Sequence, residues 1–423
     1  MTSHAGASRR RLLGRTVAAA AVLAACQVLA ACQVLAPSGG PTGSGALAPS
    51  GPPVLGIDWG RAASVERPSN YQASVAPSYP GVHPILRIAG QATMTDAIVL
   101  PSGGFTVIGY VPPDWVPVAW TSANGSAWTL HPMDPTPYTF PMALSPASSG
   151  SVAAVGRAGD GPAAWLSADG ARWDRMAVEV LGTSGVAERM TSVAFSPDRL
   201  VAGGSAGPEL FERHARFWTS KDGFAWKPVA DAPETFDNAE VRSITRFHGG
   251  FVAVGVVGTA QVQTGAVAWL SSDGERWTRI DDPAFTGGIA ASVAAAPWGG
   301  LVVVGSDLER RTAAAWTSLD GEHWTRAGDE ASRQHPGGYA WMTDVAVVGE
   351  IAIGIGDIQG LQRGTAMSWI SRDGVVWERS NRAPVQEGAE LYAIIPGGPG
   401  AMAIGAFGAP DSYVPEVWLT PAR

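Results

Sequence analysis

The chain has 423 residues, 46% of them apolar and only 16% charged, with 53 glycines and 17 tryptophans. Its formal charge of −8 falls to about −12 once Arg9, Arg10, Arg11 and Arg15 are set aside with the leader described below, a balance that excludes a general grip on nucleic acid or an anionic bilayer. The two cysteines, Cys26 and Cys32, both precede the repeated region, so that region is expected to lack disulfide and thiol chemistry.

Residues 8–13 read SRRRLL and are followed by an apolar, alanine-rich run over 16–25. A basic segment before a short apolar one is the pattern of a secretory leader, and the run is too short to span a bilayer. It ends in Leu23-Ala24-Ala25-Cys26, and the same four residue types return at Leu29-Ala30-Ala31-Cys32. This resembles the lipobox of bacterial lipoproteins, which implies cleavage before a cysteine that then carries lipid. Cleavage before Cys26 is expected, because Gln27 interrupts the apolar run ahead of the second box. Serine with paired arginines and leucines also resembles the twin-arginine export signal, and an ordinary secretory leader stays open beside it. Residues 36–53 (APSGGPTGSGALAPSGPP) hold almost nothing that can be buried, and read as a flexible tether. The expected order is a signal peptide over 1–25, a lipidated tether over 26–53, and a folded region over 54–423. The protein is expected outside the cytoplasm, anchored to the membrane by lipid.

From there one phrase recurs six times: VAWTSANGSAWTL, AAWLSADGARWDR, RFWTSKDGFAWKP, VAWLSSDGERWTR, AAWTSLDGEHWTR and MSWISRDGVVWER. A shortened copy, EVWLT, closes the chain. The leading tryptophans are Trp120, Trp165, Trp218, Trp269, Trp316, Trp369 and Trp418. A second phrase precedes each, an apolar run ended by Gly109, Gly156, Gly204, Gly255, Gly305, Gly354 and Gly405. Short apolar runs closed by glycine read as buried strands. A repeat of about 50 residues with four such strands predicts an all-β fold, a seven-bladed β-propeller of four-stranded antiparallel blades.

The turn within each phrase is S-x-D-G-x-x-W, with Asp169, Asp222, Asp273, Asp320 and Asp373, and Asn124 in the first copy. Asp-Gly and Asn-Gly suit tight hairpins, and the side-chain oxygen accepts amides of its own turn. The phrase resembles the Asp-box of the bacterial neuraminidase repeat, shortened by one residue before the glycine. The resemblance covers about 340 residues and implies that these six side chains are structural rather than metal ligands. The last repeat lacks its fourth strand. The matching pattern G-x-x-W-x-R occurs once more, at residues 56–61 around Trp59, so this N-terminal strand is expected to complete the seventh blade and remove an open edge.

Function is expected on the face opposite the Asp-box turns, where the connections vary between repeats. These hold Asp114 and Trp115; Glu209, Glu212, Arg213, His214 and Arg216; Asp307, Glu309, Arg310 and Arg311; Asp357 and Arg363; and Tyr413. Asp114, Trp115, Arg216, Asp307, Glu309, Arg310, Arg363 and Tyr413 are the candidate ligand-binding residues; solvated loop residues are the plainer alternative. The mixed charge suits a glycan-like ligand or an envelope protein bound by a monomeric, scaffolding propeller. The alternative is a sialidase-like glycoside hydrolase. Resemblance to sialidases implies three arginines, a tyrosine–glutamate pair and an acidic aspartate, and an R-I-P motif. Here Leu86-Arg87-Ile88-Ala89 lacks the proline, and seven blades stand against the six of that family. The scattered histidines and absent phosphate-binding or nucleophile-elbow motifs predict no metal and no cofactor.

Overall fold

The computed structural model describes residues 92–423 apart from 112–113, 181–186, 208–212, 260–261, 329–338, 360–363, 380–388, 398–399, 408–413 and 420–423. The leader, both cysteines, the tether, the strand read at 56–61, Arg87, Arg363 and Tyr413 therefore lie outside the described residues. What is described is almost wholly β. Seven sheets follow one another, six of them with their strands in chain order. Their first strands are Thr93–Val99, Thr139–Pro146, Glu188–Ser196, Ala239–Phe247, Gly288–Ala295, Tyr339–Val348 and Ala389–Gly397, and number the blades from one to seven. Five sheets have four antiparallel strands. Blade 3 gains a fifth short strand, Ala177–Val178, which pairs parallel to Ala225–Pro228. Blade 7 shows three strands among the described residues.

The ring closes through its core. There are seven clusters of buried apolar side chains, and each joins one blade to the next. The one spanning the ends of the ring packs Phe105, Val107 and Trp120 of blade 1 on Met402, Ile404 and Val417 of blade 7. The seven leading tryptophans are all buried in these seams. The fold is thus a seven-bladed β-propeller, as the repeat predicts.

The closing glycines have a steric cause. Each first strand carries a register shift, at Met94/Asp96, Pro141/Ala143, Met190/Ser192, Val241/Ser243, Ala290/Ser292, Met342/Asp344 and Leu391/Ala393. Such a bulge drives a carbonyl toward the second strand. A Cβ on Gly255 would lie 1.8 Å from the Glu240 carbonyl oxygen, and one on Gly204 1.9 Å from that of Arg189. Blade 6 corrects the sequence reading: Gly356, not Gly354, holds this position, with its Cβ site 2.0 Å from the Trp341 carbonyl oxygen. Gly354 lies opposite Val345, past the bulge.

Side chains beside the bulges tie the blades together. The Thr95, Thr191 and Thr343 hydroxyls donate to the carbonyls of Pro141, Val241 and Leu391 on the next blade, at 2.7, 2.7 and 2.9 Å. Asp96, Ser192, Ser243 and Asp344 accept the amides of Leu144, Ile244, Val293 and Ile394. Burial pushes the Asp96 carboxyl up to about 7 and that of Asp344 up to about 6.

The six complete turns share one geometry. The serine hydroxyl accepts the glycine amide at 2.8–2.9 Å, and the tryptophan indole donates back to the glycine carbonyl, as in Ser271, Gly274 and Trp277. Asp169, Asp273, Asp320 and Asp373 each accept two following amides; Asn124 does the same more loosely, and Asp222 accepts one. The Arg276 amide is the chief reason that Asp273 is held down to about 2. The glycines adopt positive φ, +75° at Gly274, and press on the preceding blade.

Candidate functional site

Connections on the opposite face stitch four of the blades to the entry of the next. The carbonyls of Trp115, Asp160, Arg213 and Arg311 accept the amides of Thr139, Glu188, Ala239 and Ala340 at 3.0, 2.8, 3.2 and 3.1 Å. One register position before each bulge therefore forms a ring at the mouth of the central channel: Thr93, Phe140, Arg189, Glu240, Ile289, Trp341 and Glu390.

Charge concentrates on blades 3 and 4 of this ring. Glu240, 4% exposed, pairs with Arg189 at 2.9 Å, with Arg242 at 3.2 Å and with Arg213. Three guanidinium groups thus share one buried carboxylate. Water reaches about a third of the Arg242 side chain. Burial first, and then the Arg189 charge, push it down to about 10.

Beside this cluster is a pocket lined by Arg157, Ala187, Glu188, Arg189, Ser205, Gly207 and Arg213. Glu188 is 3% exposed, and neither of its carboxylate oxygens accepts a hydrogen bond. Its nearest cation is Arg216, 4.0 Å away. Burial pushes the Glu188 carboxyl up, with only partial opposition from Arg216. A buried carboxyl needs hydrogen-bond partners, which a water or a ligand group in this small pocket can supply.

Outside the pocket the network continues. Arg216 reaches Asp231 at 2.9 Å, and His214 bridges Asp231 at 2.7 Å and Asp237. Burial works against the Asp231 charge, but His214 and Arg216 outweigh it and hold that carboxyl below the ordinary range.

Aromatic groups occupy the same face on both sides of the charged sector. Trp115, at φ +53°, stands edge-on to Tyr110 at 5.6 Å and 6.0 Å from Phe140, whose ring the Arg157 guanidinium covers at 4.7 Å. On blade 6, Tyr339 and Trp341 lie 5.1 Å apart, with the Arg311 guanidinium 5.6 Å from the Tyr339 ring.

The residues picked from sequence separate into groups. Arg216 joins the charged network. Trp115 joins the aromatic group, and its neighbour Asp114 offers its carbonyl to the Tyr138 amide at 2.8 Å. Asp307 is 4% exposed and organises its own loop, accepting the Arg310 amide at 2.7 Å and pairing with Arg310 and Arg326. Glu309 lies beside Gly287 on the same loop face. Sequence reasoning passed over Glu188, Arg189, Glu240 and Arg242, because it searched loops rather than strand entries. Their signal is the pair of entries ERMTS and AEVRS, charged where blades 2 and 5 read FPMA and IAAS. Among the described residues no three His, Cys, Asp or Glu side chains are grouped to hold a metal ion.

No family model and no curated protein sequence matches this chain. Solved structures similar to it include a protein of unknown function from Dyadobacter fermentans, 14% identical, covering 79% of this chain and 95% of its own, with a TM-score of 0.47. Another is the GH74 enzyme of Niastella koreensis, 15% identical over 78% of this chain and 43% of its own, at 0.43. A xylan β-1,4-xylosidase from Bacillus halodurans is 10% identical over 53% of this chain and 51% of its own, at 0.34. Architecture alone does not carry chemistry from one of these proteins to another.

Proposed function

We propose that this protein is an extracytoplasmic, lipid-anchored propeller that binds an anionic, glycan-like ligand at the face opposite its Asp-box turns. One observation carries the reading. The pocket on blades 2 and 3 sets arginines 157, 189 and 213 around Glu188, a buried carboxyl with no hydrogen-bond donor of its own. Guanidinium forks match planar oxyanions. Ligand groups in this pocket would satisfy what the protein leaves unsatisfied. The anchor part rests on the paired Leu-Ala-Ala-Cys boxes, and replacing Cys26 and Cys32 together is expected to release the protein from the membrane fraction.

The test is surface plasmon resonance of the full-length protein in detergent. Polygalacturonate and alginate are expected to bind and to weaken with added salt, while dextran does not bind. Binding of dextran alone, or of no polysaccharide, contradicts the reading.

Glu188 also favours a second reading, glycoside hydrolysis, since a general acid needs a carboxyl raised in this way. Such chemistry requires a second carboxylate at about 5–9.5 Å, and Glu240 is already held by three arginines. Cleavage of fluorogenic sialosides or aryl glycosides that is lost in Glu188→Gln would support this second reading.

A further inference from the structure

The three tryptophans outside the repeat pattern are Trp115, Trp298 and Trp341. Trp298 packs under Gly374 at the Asp-box end of the ring, where it serves the seam between blades 5 and 6. The other two both belong to the loop face. Their settings are built alike. Trp115 and Arg311 hold equivalent positions, each at positive φ (+53° and +56°), and each gives its carbonyl to the next blade's entry strand. That strand then carries an aromatic pair two residues apart, Tyr138 and Phe140 on blade 2, Tyr339 and Trp341 on blade 6. An arginine covers one ring of each pair: Arg157 over Phe140, Arg311 over Tyr339.

None of this is required by the propeller. Blade 4 puts Asn238 and Glu240 at the two positions, blade 5 Gly287 and Ile289. A positive φ at Trp115 or Tyr138 is strained backbone for a bulky residue. Tyr138 is 50% exposed and Trp115, Tyr339 and Trp341 are half-buried, so flat apolar surface stays open to solvent at the channel mouth. Blades 2 and 6 are opposed across a ring of seven, with the arginine pocket of blades 2 and 3 and the cluster of blade 4 on the arc between them.

We infer that the loop face takes an oligosaccharide rather than a single sugar. One acidic group sits among Arg157, Arg189 and Arg213, and a second sugar ring stacks on Tyr339 and Trp341. This rests on the anionic-glycan reading above. Pyranose rings present a C–H face that suits an aromatic ring and hydroxyls that suit arginine and carboxylate, and this surface supplies both kinds of partner. The Trp115, Tyr138 and Phe140 group gives the pocket's own sugar, or the next one, an apolar wall through the shared Arg157.

The experiment is titration calorimetry of the full-length protein in detergent with galacturonate and alginate oligomers of one to six units, and with hexaglutamate as an acidic peptide. Affinity is expected to rise with length and level off. Trp341→Ala should remove the gain on longer oligomers, about tenfold, the scale of a moderate aromatic anchor, while leaving the one-unit ligand unchanged. Arg189→Gln should weaken every length. Equal affinity at all lengths, lost in Arg189→Gln, overturns the oligosaccharide inference and leaves the anion site standing. Length-dependent binding that Trp341→Ala does not alter overturns the stacking assignment. Binding of hexaglutamate but of no sugar oligomer, or of neither, overturns both the inference and the glycan reading beneath it.

Discussion

Arg189 on blade 3 donates to Glu240 on blade 4 at 2.9 Å, across the seam between two entry strands. Both residues stand one place before a bulge, in strands that share the same register. The repeat that builds the ring thus also delivers opposite charges to adjacent points at its mouth. Arg213 and Arg242 share the same carboxylate.

The turn aspartates accept the amides of their own hairpins. Asp273→Ala removes the acceptor for the Glu275 and Arg276 amides. It is expected to lower stability by about 1 kcal/mol, the usual net worth of hydrogen bonds at a partly exposed turn. Chemical denaturation checks the stability, and polygalacturonate affinity of the folded protein is expected to be unchanged.

The bulge-facing glycines should not tolerate a methyl group. Gly356→Ala places a Cβ against the Trp341 backbone carbonyl, whereas Gly354→Ala meets the flexible Met342 thioether at 2.8 Å. The first is expected to cost about 3 kcal/mol or more, in the range of backbone strain and overpacking, and the second clearly less. Thermal melts of the two variants decide which glycine belongs to the repeat.

The pH response follows from Asp96 and Asp344. Their folded carboxyls stand at about 7 and about 6, above the ordinary value of 3.8. Between these limits the folded state binds more protons than the unfolded state, so their contribution to stability is fully present near pH 4 and is lost as pH rises toward 7. Asp96→Asn is expected to flatten that part of the curve of melting temperature against pH. Acid-side loss below pH 4 should persist, because Asp273 is shifted the other way, to about 2.

Strand periodicity and the tryptophan–glycine phrases made the ring legible in sequence, because each repeat solves the same packing problem with the same residues. The bulges were not legible. A one-residue shift changes which glycine is pressed by a carbonyl, and Ile353-Gly354-Ile355-Gly356 offers two candidates at nearly the same place. The site was legible only in part. Trp115 lies in a loop and Arg216 just inside the strand His214–Ser220, both within the connections the sequence singles out, but Glu188, Arg189, Glu240 and Arg242 sit at strand entries. Their convergence comes from the neighbouring blade, which no local pattern records.

Blade 7 tests the reading of residues 56–61 as its fourth strand. Removing residues 33–53 is expected to leave melting unchanged. Extending the deletion to residue 63 also removes Trp59, which on this reading packs in blade 7, and loss of a large aromatic from a core costs about 3–5 kcal/mol. The longer deletion should melt far lower or aggregate. Equal melting of the two would contradict the strand assignment.

The central claim, an anionic-glycan site at the mouth of blades 2 to 4, is tested most directly by a glycan array probed with the wild-type protein and with Arg189→Gln. Glu240 keeps Arg213 and Arg242 in that variant, so the fold should persist. The account predicts wild-type signals confined to acidic glycans, all of them lost or strongly reduced in Arg189→Gln. Neutral glycans as the main signals, or acidic signals that survive the substitution undiminished, would contradict it.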